Sequence, residues 1–122
     1  MRKVTMTPPS FSLALLGALS LVAAGPAVAL DDAAVLEVYK TKCFACHLAD
    51  GNAPMKEMNL ADGEWKHGTK LADIQKVIEE GVAGTAMLPF KAQLQPEEIE
   101  GLARFVRAFD KTLKPEKPAK KK

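Results

Sequence analysis

The stretch Tyr39-Lys40-Thr41-Lys42-Cys43-Phe44-Ala45-Cys46-His47 decides the fold. It closes on Cys-x-x-Cys-His. Two cysteines three apart at a helix end face the same side, and the next residue adds an imidazole. A structural disulfide and a thioredoxin-like thiol pair compete for such a motif. A thioredoxin-like pair should follow a strand and begin a helix. This one ends a helical pattern, and no run in the chain alternates with strand period. A zinc site would need a fourth ligand and a second ligand cluster, which the sequence does not offer.

The residues before this stretch say where the motif works. Arg2 and Lys3 give a positive start, Phe11 to Ala24 is apolar without a charge, Gly25-Pro26 breaks the helix, and Ala27-Val28-Ala29 has the small-x-small form of a cleavage site. The expectation is a secretory signal peptide over residues 1–29. The apolar run is shorter than the ~20 residues of a spanning helix, the competing reading. Cleavage after Ala29 would leave 93 of the 122 residues. So short a chain makes a marginal core and gains from a metal, a disulfide or a cofactor. In an exported chain, CxxCH reads as covalent haem attachment. Each cysteine can bond one vinyl group of a single haem, and His47 can give its imidazole to the iron.

The opposite face of that iron has four candidate ligands: Met55, Met58, His67 and Met87. Met87 stands out. It sits in Gly84-Thr85-Ala86-Met87-Leu88-Pro89-Phe90, a glycine-bearing loop stiffened by proline. Such a loop can bring a thioether to iron and hold it. Methionine with histidine raises the potential and fills both axial sites, which favours electron transfer over substrate binding.

Three helices are expected. The first covers Asp32 to Lys42, with Asp31 and Asp32 at its amino end and an apolar face of Val35, Leu36, Val38 and Tyr39. The second covers Leu71 to Glu80, with Thr69 as its cap, Leu71, Ile74, Val77 and Ile78 as its face, and Gly81 as a left-handed stop. The third covers Pro96 to Thr112, opening on proline and two glutamates. Its stripe is Ile99, Leu102, Ala103, Val106, Phe109 and Leu113. Long connections lie between, His47 to Lys70 and Gly81 to Gln95, and a short helical turn is expected near Ala61–Trp65. Connections this long in a small domain are functional or packed on something.

The formal net charge of +2 hides an asymmetry. Leu30 to Asp110 holds 9 basic and 14 acidic residues, a net of −5. The last twelve residues, KTLKPEKPAKKK, hold six Lys and one Glu. Pro-rich and nearly without apolar residues, residues 111–122 are expected to be a disordered tail after a 30–110 domain. Such an end solubilises, or tethers the chain to an acidic partner or to an anionic membrane surface.

Together these residues resemble a small class I cytochrome c, the soluble monohaem kind. Tyr39-x-x-x-Cys43-x-x-Cys46-His47 resembles the family's aromatic-then-CxxCH opening. Asn59-Leu60 and Trp65-x-x-Gly68 resemble its middle segment, Gly84-x-x-Met87-x-Pro89-Phe90 its methionine loop, and Glu97-Glu98-Ile99 through Phe105-Val106 its closing helix. The resemblance runs from about Val35 to Phe109. It implies an all-α fold around one haem c, with the first and last helices crossing and one haem edge exposed. It implies Cys43 and Cys46 as thioether anchors, His47 and Met87 as iron ligands, and Trp65 packed near the haem or bonded to a propionate. Three positions depart from the family. Leu48 stands where it usually has Gly. Glu57-Met58 stand where it often has Gly-Pro, though the Met58 carbonyl can hold the His47 ring as the proline carbonyl does. Val35 stands where a Gly usually lets the terminal helices approach, so a wider or shifted crossing is expected.

The function expected is a periplasmic one-electron carrier, not an enzyme, working as a monomer. Its partners would be an electron donor and acceptor, a dehydrogenase or terminal oxidase among them, and no nucleic acid. One alternative is a haem enzyme or gas sensor with an open or His67-ligated iron. Another is a dedicated cytochrome subunit of a dehydrogenase or oxidase complex.

Overall fold

The computed structural model describes residues 29–117. The expected signal segment, apart from Ala29, and the last five residues of the tail lie outside them. Among the described residues four helices occur, in the order α1 (Asp32–Lys42), α2 (Phe44–His47), α3 (Leu71–Glu80) and α4 (Pro96–Arg107). A 3-10 turn at Lys56–Met58 lies between α2 and α3. No strand occurs among the described residues, and none of their helices is long and apolar enough to cross a membrane.

The helix starts follow from their caps. The Asp31 side chain accepts the Ala34 amide at 2.7 Å and starts α1. At α3 the expected cap, Thr69, is not used. Lys70 takes that position, and its amide donates to Asp73 at 3.2 Å. The Asp73 carboxylate, three residues on, holds the amide of the cap residue itself. The Gln95 amide donates likewise to Glu98 at 2.7 Å, with Pro96 opening α4.

The ends differ more. α3 stops at Gly81, which takes the expected positive φ of 67°. A Cβ there would lie 2.5 Å from the Met87 carbonyl oxygen, so the stop also lets the following loop fold back. α4 ends at Arg107, not at Thr112. The buried Asp110 side chain accepts both the amide (2.9 Å) and the hydroxyl (2.7 Å) of Thr112, turning the chain where the apolar period would have carried the helix on. The helical turn expected near Ala61–Trp65 is absent, and the only such turn in that connection is Lys56–Met58. Asn59 draws the chain into a loop there, donating to Asn52 and to the Ala53 carbonyl while accepting the Ala61 amide.

The core is one cluster of Val35, Tyr39, Leu71, Ile74, Ile78, Leu94, Ile99, Leu102, Ala103 and Val106. α4 is central, packing on both α1 and α3. At the α1–α4 crossing, where Val35 is expected to widen or shift the approach, α4 presents a glycine to it. The notch is supplied from the other helix: a Cβ on Gly101 would lie 2.6 Å from the Val35 side chain. Tyr39, Phe105 and Phe109 complete the crossing, with ring centroids 4.9 to 5.7 Å apart in tilted or edge geometry.

The tail is not free from Lys111 onward, as expected. The Arg107 guanidinium donates to the Lys114 carbonyl at 2.5 Å, and the Leu71 amide donates to Glu116 at 3.2 Å. These bonds tie the chain as far as Glu116 to the body.

Candidate functional site

A cavity of about 400 Å³ opens between these elements. Its walls are mainly apolar, with Leu60, Ile74, Ile78, Val82, Leu102 and Val106 among them. Cys43, Cys46, His47, Trp65 and Met87 all line it, so the residues singled out in the sequence share one space. Met58 and His67 line it too. Met55 does not, and is 55% exposed.

α1 and α2 set the CxxCH geometry. α1 ends at Lys42, Cys43 turns the chain, and α2 carries Phe44 to His47. Cys43 is half-buried and Cys46 exposed. Burial, then the neighbouring Cys46, pushes the Cys43 thiol up to about 11. At neutral pH it stays protonated, unlike a thioredoxin-like nucleophile. Among the described residues no group of three or more His, Cys, Asp or Glu could hold a metal ion.

His47 lies at the end of α2, with Nδ1 2.7 Å from the Met58 carbonyl oxygen. A carbonyl can only accept, so Nδ1 carries the proton and Nε2 keeps its lone pair. This is the bond expected of the Met58 backbone. It fixes the ring's tautomer and orientation, as metal-binding histidines require. Leu48 follows with φ 60° and ψ 174°, backbone that glycine adopts without cost. Its carbonyl accepts the Tyr39 hydroxyl at 2.6 Å. Burial first, then Cys43 and Asp50, pushes that hydroxyl up to about 12, so it remains a donor.

The Met87 loop is laced to itself and to α3. Val82 donates its amide to the Met87 carbonyl at 2.9 Å, and the Met87 amide donates to the Thr85 hydroxyl at 3.1 Å. That hydroxyl donates to the Val82 carbonyl at 2.7 Å, and the Phe90 amide donates to Ile78 at 3.0 Å. A thioether on so tied a loop has a defined place in the cavity wall.

Trp65 is half-buried on the cavity wall, but its indole N–H does not await a propionate. It donates to Asp110 at 2.8 Å. Asp110 is 3% exposed, and bonds from Thr112 and then Trp65, with the Arg107 charge, hold its carboxyl below the usual carboxylate value. Asp110 is the site-supporting residue that the sequence reading misses. The signal for it was a lone tryptophan needing a partner when buried. His67 is exposed, as expected of a loop residue.

Two thiols, an imidazole with its tautomer set and a tethered thioether, all around one apolar cavity, fit a covalently held haem. Residues 31–106 match the family described as cytochrome C oxidase, cbb3-type, subunit III. Cytochrome c6 of Rippkaea orientalis is 36% identical over 86 residues, covering 68% of this chain and 75% of that protein. The cbb3-type cytochrome c oxidase subunit FixP of a Bradyrhizobium strain is 32% identical over 81 residues, covering 65% of this chain. The chain spans only 28% of that subunit's length. Among solved structures, cytochrome c6 of the diatom Phaeodactylum tricornutum is similar at a TM-score of 0.55 and 28% identity, over 68% of this chain and 98% of that one.

Proposed function

Because the chain belongs to the class I c-type cytochromes, small electron-transfer proteins with covalently attached haem c, we propose that it is a one-electron carrier whose thioether anchors are Cys43 and Cys46 and whose axial ligands are His47 and Met87. The observation that carries this is the His47–Met58 bond of 2.7 Å beside a cavity that Met87 also lines. When bound, the haem supplies a one-electron iron couple held in a chiefly apolar site.

The chain's own residues do the rest. The Met58 carbonyl holds the imidazole proton, so the free ring nitrogen keeps one direction. The Thr85 and Val82 bonds hold the methionine loop in its place. The apolar walls exclude water, which favours the less charged form of the site. Trp65 closes one wall, held by Asp110. His47 and Met87 would together hold the iron from two sides, which would leave no position for small ligands or substrates and suits electron carriage.

We place the carrier in the periplasm, exported by residues 1–29 and working as a monomer. The similarity to an oxidase subunit supports a terminal oxidase as one partner; a dehydrogenase is the electron donor in this reading. The test is the optical spectrum of the oxidised, haem-loaded protein. A weak far-red methionine-to-iron band is expected, and Met87→Ala should lose it while keeping covalent haem. A band that survives in the variant, or fast carbon monoxide binding by the unaltered ferrous protein, would overturn the ligand assignment.

A further inference from the structure

The family match ends at residue 106, and residues 107–117 beyond it form a strap. After Asp110 the chain runs back over the start of α3. Arg107 is the pin: its Nε donates to the Thr69 carbonyl at 2.7 Å, and its terminal nitrogen to Lys114. Glu116 closes the clasp, accepting the Leu71 amide at 3.2 Å and lying 3.8 Å from Arg107 Nε. Thr69 and Leu71 directly continue the segment Trp65 to Gly68, which walls the cavity.

The strap also sorts charge. Glu116 is the one acid of the last twelve residues, and it is occupied by the helix start and by Arg107. Lys70, Lys114 and Lys117 are exposed. The ion pairs among the described residues use Lys40, Lys56, Lys66, Arg104 and Arg107 instead. A basic edge thus borders one wall of the cavity, on a body otherwise net negative.

We propose that this strap is a docking surface that sets an acidic patch of a redox partner protein against the Trp65–Gly68 wall. The proposal rests on the carrier reading above. A protein suits it better than a lipid surface. The strap is fixed in register against the cofactor cavity, which lipid attraction does not require. It also offers no apolar side chain between Lys114 and Lys117 to enter a bilayer.

The test uses the full, reduced, haem-loaded protein and hexacyanoferrate(III) as an anionic probe. The probe takes one electron from the ferrous iron and becomes hexacyanoferrate(II). Lys114→Glu/Lys117→Glu is compared by stopped flow with Lys40→Glu/Lys76→Glu, which changes the net charge equally at exposed positions away from the strap. At about 10 mM ionic strength the strap variant should react about threefold more slowly than the control. At about 500 mM the two should agree. Equal rates at low salt, with unaltered haem spectra, would overturn the docking surface alone. So would strap-dependent binding to phosphatidylglycerol vesicles with no rate difference, which would assign the lysines to a membrane. An unaltered protein that exchanges no electron with the probe would overturn the carrier reading, and the docking surface with it.

Discussion

Leu48 holds a backbone conformation with φ 60° and ψ 174°, in the region that is almost glycine's alone. Such a residue costs on the order of 1–3 kcal/mol. The residue is 37% exposed, so its partial burial offsets only some of that cost. Leu48→Gly should therefore raise the denaturation free energy by about 1 kcal/mol, read as a higher denaturant midpoint at unchanged slope. A lower midpoint would mean that the leucine side chain contributes more than its backbone costs. Asp110 gives a pH prediction at the same scale. Its carboxyl is lowered by Thr112, Trp65 and Arg107. A lowered carboxyl stabilises the fold above its unfolded value near 3.8 and loses that contribution as pH falls through the folded value. Asp110→Asn should be less stable at pH 7, and the gap to the unaltered protein should close as pH falls below the unfolded value of 3.8. Thermal unfolding from pH 7 to below that value would check it. A gap that stays constant would show that the charge is not what matters.

At the scale of elements, what could be read in advance was what depends on neighbours in sequence. The bounds of α1 and α3 follow from local signals: an aspartate cap, a helical period, and a glycine where the chain must reverse. The end of α4 does not. Its stripe continues to Leu113 in sequence, but Asp110 is taken by Thr112 and by an indole 45 residues away. The Lys56–Met58 turn is hidden for a similar reason, since its loop is held by Asn59 and not by apolar spacing. The helix crossing shows the same limit. Val35 was visible as a bulky residue, but not the glycine that receives it from the far end of the chain. Gly101→Ala should destabilise by about 2 kcal/mol, because overpacking exceeds the gain in helix propensity. Adding Val35→Ala should recover about half of this in a double-mutant cycle. Strict additivity would show that the two helices do not meet there.

For the molecule as a whole, the candidate site was more legible than the fold that builds it. Cys43, Cys46, His47, Trp65 and Met87 meet on one cavity because each is marked by its own chemistry in the sequence. The residues that hold them, Asp110, Arg107 and Glu116, are ordinary charged residues whose work appears only when distant segments meet. The cavity also says what the cofactor is to this chain. About 400 Å³ bounded by apolar side chains is too much to leave without an occupant in so small a domain. The double variant Cys43→Ala/Cys46→Ala should carry no covalent haem. It should keep part of its far-ultraviolet helix signal, lose its near-ultraviolet signal and unfold without a sharp transition. A cooperative transition like that of the loaded protein would show that the helices need no such filling.

The bond from the His47 ring to position 58 ends on a main-chain oxygen. Every amino acid supplies that oxygen, proline included. Mutation at position 58 can therefore wander widely in evolution without disturbing the imidazole, provided the loop keeps its path. Heritable change in the iron's electronic environment has to come from elsewhere, above all from the methionine loop. A comparison of descendants that looked for conserved side chains would pass over position 58, although it touches the histidine directly.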